Sequence, residues 1–217
     1  MDMNTKYRLI LLSIFALFLV IPSIVIGEQE VEGYVEGEWT ADESPYYVLG
    51  TVTIPYGKEL YIHPGVDILF DNHYSIEVEG TLIANGGYED DERIQFEGEG
   101  ASWDGIYFRR QGDGESSIRN CDLINVRVGI SCDRNSPQII GCSIDARNVC
   151  ISCVQAAPLI VDNTLITTGE NASLDIYGIS LRYESHPRIE SNKLIRAYSS
   201  GNGSATGILV DDSEPLI

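Results

Sequence analysis

Lysine, methionine and histidine are all scarce in this chain, and each scarcity removes a class of function. Lysine occurs at Lys6, Lys58 and Lys193, and the 14 lysines and arginines together face 33 aspartates and glutamates. The formal charge is −19. A field of that sign repels phosphate, so nucleic acid and anionic lipid are excluded as partners. Both methionines fall within the first three residues, and His63, His73 and His186 are scattered along the chain. That leaves no basis for a copper site, which calls for His, Cys or Met ligands. A zinc site needs paired Cys-x-x-Cys motifs or one with a partnering histidine, and Cys150-Ile151-Ser152-Cys153 stands alone, with none of the three histidines near it in the chain. Long apolar runs are also missing after residue 27, as is any helical spacing of apolar residues.

The one long apolar run, Leu9 to Ile26, follows a short basic segment with Lys6 and Arg8. Val25-Ile26-Gly27 then places small or apolar residues before the acidic stretch that opens at Glu28. Residues 1–27 thus read as an export signal. The alternative is an uncleaved membrane anchor, since the run reaches the lower limit for a spanning helix. Pro22 and the Gly27 site favour cleavage. On either reading the remainder is expected outside the cytoplasm, secreted or at the cell surface, with any membrane contact made through the N-terminal segment alone. Removing residues 1–27 takes away one acid (Asp2) and two bases, which moves the charge from −19 to −20. Such an excess suits a solvated acidic surface in a salty exterior, and Ca²⁺ binding is the sharper alternative.

From about residue 105 onward the chain repeats itself, and a repeat of this length governs the whole architecture. Pro137, Pro158, Pro187 and Pro215 recur at intervals of 21, 29 and 28. In register with them run Ile118, Ile139, Ile160 and Ile189, and then Cys121, Cys142, Asn163 and Asn192. Further columns are Leu123, Ile144, Leu165 and Leu194, and Ile106, Ile130, Ile151, Ile179 and Ile208, the last usually preceded by glycine, as at Gly105, Gly129, Gly178 and Gly207. Each unit holds three short apolar segments with period-two alternation, separated by turns. Such a unit cannot bury its own apolar face, whereas stacked units share one continuous core. Three strands per unit, each pairing with its equivalent one unit later at about 4.8 Å, form a parallel β-helix. Earlier segments fit the same scheme as short strands Thr51–Ile54, Val66–Phe70, Ser75–Val78, Thr81–Ala84 and Arg93–Phe96. Residues 28–46 read as a flexible acidic lead-in that caps the first coil, with the β-helix domain spanning 47–217.

Gly50-Thr51-Val52-Thr53-Ile54, Leu60-Tyr61-Ile62-His63-Pro64-Gly65-Val66, Val78-Glu79-Gly80-Thr81-Leu82 and Trp103-Asp104-Gly105-Ile106, with the Ser136-Pro137 and Gly178-Ile179 repeats, resemble microbial surface β-helix proteins. These belong to the pectin-lyase-like superfamily. The resemblance covers residues 47–217 and implies an all-β, right-handed parallel β-helix. It says little about activity, because that superfamily mixes lyases, hydrolases, epimerases, adhesins and inert scaffolds. Its lyases would imply a carboxylate cluster for calcium and a basic residue beside a uronate. Its polygalacturonases would imply Asn-x-Asp, paired Asp, Gly-His-Gly and Arg-x-Lys motifs, which have no complete counterpart here.

The residues that follow the third isoleucine column form the most polar strip of the repeats. It offers Arg109, Arg110, Asp133, Arg134, Arg182 and Tyr183 as ligand-binding candidates. Asp133 and Asp211 lie three rungs apart, about 14 Å at normal strand spacing, too far to share a calcium whose ligands sit at about 2.4 Å. Glu184 with Asp211 or Asp212, near His186, is the best catalytic candidate. Carboxyls on neighbouring rungs fall within the roughly 5–9 Å that glycoside hydrolysis uses, but solubilising charges at a strand edge explain them equally simply. Glu89-Asp90-Asp91-Glu92 and Asp113-Gly114-Glu115 lack the alternating ligand spacing of a calcium loop and read as solvated turns.

Cys121 matches Cys142 in register and Cys132 matches Cys153, leaving Cys150 alone. Export permits disulfides, yet in-register side chains run parallel, which favours stacked buried thiols. Asn171-Ala172-Ser173 and Asn202-Gly203-Ser204 are glycosylation sequons in equivalent loops of consecutive coils. Glu214-Pro215-Leu216-Ile217 opens a further repeat with no polar cap, so the C-terminal coil is expected to associate with another chain or to come from a longer ancestor. The function expected is a non-catalytic secreted or surface β-helix that contacts an extracellular glycan or another surface protein. A polysaccharide lyase or glycoside hydrolase, and a purely structural scaffold, are the alternatives.

Overall fold

The structure, a computed structural model, describes residues 29–109, 115–169, 175–199 and 203–217. The described residues wind through eight coils as a right-handed parallel β-helix. The first coil holds β1 (Gln29–Tyr34) and β2 (Gly37–Trp39), the second β3 (Tyr46–Ile54) and β4 (Glu59–Ile62). The third holds β5 (Asp67–Phe70), β6 (Ser75–Val78) and β7 (Thr81–Asn85), the fourth β8 (Ile94–Gly98), β9 (Gly105–Arg109) and β10 (Ser117–Arg119). Next come β11 (Cys121–Asp133) with β12 (Gln138–Ile140), then β13 (Ser143–Val154) with β14 (Leu159–Val161). The last two coils are β15 (Thr164–Gly169), β16 (Ile176–Arg182) and β17 (Arg188–Glu190), and then β18 (Lys193–Ser199) and β19 (Ala205–Asp211). Leu216 adds a final rung against Arg188.

Every pairing between these strands is parallel, so the coils form three faces. The first face carries Tyr46, Ile68, Phe96, Leu123, Ile144, Leu165 and Leu194 as one column of Cα partners. The second carries Ile76, Ile106, Ile130, Ile151, Ile179 and Ile208. The third carries Ile62, Ala84, Ile118, Ile139, Ile160 and Ile189. The three isoleucine and leucine columns read from the repeat are therefore the inward columns of the helix. Most of these side chains are fully buried, and the stack is held by the removal of this apolar surface from water. Trp103 fills the wide fourth coil, stacked 4.1 Å from Phe70 with its indole N–H donating to the Ile124 carbonyl at 3.0 Å.

Two features of the turns keep the outer faces in register. Asn120, Gly141, Asp162 and Ser191 stand at equivalent corners with positive φ, and so do Arg134, Gln155, Tyr183 and Asp212 after the second face. Asn and Asp visit this region at modest cost, and the bulkier residues are held there by hydrogen bonds to the next coil. The Arg134 N–H bonds the Val154 carbonyl, and the Tyr183 N–H bonds that of Asp211. The glycines before the second-face isoleucines serve close approach: a Cβ on Gly129 would strike the Cys150 carbonyl oxygen.

Residues 29–46 are not a loose lead-in. Strands β1 and β2 pair in parallel with β3 and β4 and complete a coil of their own. Trp39 is buried and stacks 4.7 Å from the ring of Tyr46, whose hydroxyl donates to Glu43 at 2.9 Å. The acidic residues that disguised this segment alternate outward along β1, as period two requires.

Candidate functional site

The second face points its outer surface into a groove of about 750 Å³ lined by Thr53, Tyr56, Glu77, Glu79, Arg109, Asp133 and Arg134. Alternation fixes this set. Ile54, Val78, Phe108 and Cys132 point inward, so their neighbours Thr53, Glu77, Arg109 and Asp133 are turned outward. Strands β3, β6, β9 and β11 lie in consecutive rungs, which places these residues side by side.

Ion pairs tie the charges of the groove down. Arg109 grips both carboxylate oxygens of Glu77, at 2.6 and 3.3 Å, and its guanidinium sits 4.6 Å above the Tyr107 ring. That grip raises the pKa of Arg109. Tyr107 donates to the Asp104 carbonyl at 3.0 Å, and burial raises its pKa. Arg127 pairs with the Asp104 carboxylate at 2.7 Å. Arg134 pairs with Asp133 at 3.0 Å on the next rung, where Asp133 is the Cα partner of Arg109. Tyr56 stands 68% exposed at the mouth, and Tyr34, one coil earlier beside Thr53, is 81% exposed. The result is a fixed polar floor flanked by open aromatic rings. Glu77 and Asp133 are both held by arginines.

Of the ligand-binding candidates, Arg109, Asp133 and Arg134 come together in this groove. Arg110 lies outside the described residues. Arg182 lies further along the same outer column, beyond Val154 from Asp133, with Tyr183 57% exposed next to it. Sequence reasoning missed Thr53, Tyr56, Glu77 and Glu79. A signal was available: Glu77 follows Ile76 as Tyr107 follows Ile106, but the proline marker of the later repeats does not reach that coil.

The catalytic candidates gather elsewhere. Glu184, His186 and Asp212 line a second hollow of about 560 Å³ with Val210, Ser213 and Glu214. Asp211 does not line it; it is the Cα partner of Arg182. The Glu184 N–H donates to the Asp212 carbonyl at 2.5 Å, and a His186 ring nitrogen lies 3.4 Å from the Glu214 carbonyl.

Among the described residues no three His, Cys, Asp or Glu side chains converge on a metal position. Asp90–Glu92 form a short 3-10 turn. Asp113 and the sequon residues Asn171 and Asn202 lie outside the described residues, as does the 1–28 segment. The flanks of both sequon loops pair in register, Gly169 with Ser199 and Ile176 with Ala205. All five cysteines are buried free thiols, and Cys132 and Cys153 are Cα partners.

A family model for the right handed beta helix region matches residues 68–217. Neither a curated protein nor a solved structure matches the chain.

Proposed function

The chain belongs to the right-handed β-helix family, and we propose that it serves outside the cytoplasm as a non-catalytic module that contacts carbohydrate through the groove on its second face. The observation that carries this reading is the pairing of a fixed polar floor with exposed rings at Tyr56 and Tyr34. Sugars present apolar ring faces and polar edges. Tyrosine offers a matching flat surface with a polar tip, and Arg109, Thr53 and Glu79 supply hydrogen bonds at the edges. Binding rather than turnover is favoured because Arg109 and Arg134 hold Glu77 and Asp133, which leaves Glu79 as the groove's single acid outside an ion pair among the described residues, where hydrolysis uses two. Export rests on the basic and apolar leader.

A glycan-binding screen run with a lyase and a reducing-sugar assay tests the proposal. Saturable binding that Tyr56→Ala weakens, with no turnover, supports it; absence of binding to every glycan class contradicts it. The second reading, a glycoside hydrolase, rests on the shared hollow of Glu184, His186 and Asp212. Turnover abolished by Glu184→Gln would establish it in place of the first.

A further inference from the structure

We infer that Arg182 is an oxyanion-binding subsite on the second face, taking a carboxylate or sulfate group. The inference rests on the reading of that face as the ligand surface.

The other arginines whose side chains are described are matched. Arg93, Arg109, Arg127, Arg134 and Arg188 each hold a carboxylate, while Arg119 and Arg147 hold side-chain amide oxygens. Arg182 meets no acceptor among the described residues. Its Nε is buried without a hydrogen-bond partner, and its guanidinium lies 5.9 Å from the Tyr177 ring. An acid is close at hand, because Asp211 is the Cα partner of Arg182 on the next rung, yet no ion pair joins them. The guanidinium instead folds back along β16 toward Tyr177. On the other side its rung partner is the apolar Val154.

A partly buried guanidinium that forgoes an available carboxylate carries a desolvation penalty that a ring 5.9 Å away offsets only weakly. A bound oxyanion supplies that compensation through charge-assisted hydrogen bonds. A second donor stands nearby. Ser152, outward-facing and diagonally across one rung, has a hydroxyl that no group among the described residues engages. Arg182 shares its outer column with Asp133 at the end of the groove. A linear ligand running along the axis would therefore meet Arg109 and Arg134 first and Arg182 two coils later.

The test follows the arginine side-chain N–H resonances by NMR while inorganic sulfate is added to the protein. The same titration is run with a glucuronate oligosaccharide, a sulfated oligosaccharide and a neutral one. We expect a saturable response to sulfate at Arg182. Arg182→Gln should weaken it roughly tenfold, the loss of one charge-assisted contact, and Asp211→Asn should strengthen it by removing the rival acid. Preference for either acidic oligosaccharide over the neutral one, lost in Arg182→Gln while neutral binding persists, places the anion on the glycan. A response to sulfate alone supports the subsite with a free anion as its ligand. No Arg182-dependent response to sulfate or to either acidic oligosaccharide overturns the inference, even where neutral glycan still binds and the groove reading survives. Loss of all oligosaccharide binding with the sulfate response intact sinks the groove reading and supports the subsite.

Discussion

Arg109 and Glu77, 32 residues apart in the chain, meet side chain to side chain across neighbouring coils, with Nε 2.6 Å from one carboxylate oxygen and Nη2 3.3 Å from the other. The pair sits on the outer surface, where Arg109 remains 45% exposed, so solvent screens most of its attraction. Its role in the account is to hold the groove floor rather than to hold the fold.

Replacing Arg109 with Gln should therefore cost less than about 1 kcal/mol of stability, as exposed ion pairs do. Glycan affinity should fall roughly tenfold, because a charge-assisted donor leaves the floor. Denaturant unfolding and calorimetric binding, measured on the same preparation, separate the two. A large loss of stability with unchanged affinity would make Arg109 a structural residue only.

The interior column of Asn163 and Asn192 carries the opposite balance. Asn163 is buried, its carbonyl oxygen accepts the Cys142 N–H at 2.9 Å, and its amide donates to the Ile139 carbonyl at 2.9 Å. Asn163→Leu leaves the Cys142 N–H without its partner in the core, a cost of about 1–3 kcal/mol. Asn192 is only half-buried, so Asn192→Leu should cost less. Urea denaturation of the two variants checks the order, and a reversed order would refute the ladder as a load on the core.

Burial pushes the Cys150 thiol from 9.0 up to about 12. The folded state thus favours the protonated form, and the stability this contributes is fully present below the ordinary thiol value. It is lost as pH rises from about 9 toward 12. Wild-type melting temperature should accordingly fall more steeply across that window than that of Cys150→Ala. Parallel curves for the two proteins would show that Cys150 is not the group responsible.

Much of this was legible before the structure. Ile106, Ile130, Ile151, Ile179 and Ile208 pair in the register their spacing announced, since a one-residue slip would turn every one of them to solvent. The same spacing placed Arg109 and Asp133 on one outer strip. The first coil was not legible, because Glu30 and Glu32 alternate with Val31 in a strand too short to outweigh their charge. Tyr56 was missed because β3 runs straight through two faces, and neither its coil nor that of Glu77 on β6 carries the proline that marks the later repeats. The isolation of Arg182 could not be read at all. Adjacent rungs bring it beside Asp211, and only side-chain direction shows that they do not meet.

The central claim is that the groove on the second face is where carbohydrate binds, and amide hydrogen exchange with and without the best-binding glycan tests it most directly. The account predicts added protection at residues 53–57, 77–79, 107–109 and 131–134, with residues 184–186 and 210–214 unchanged. Protection confined to the hollow of Glu184, His186 and Asp212, with the groove unchanged, would contradict it.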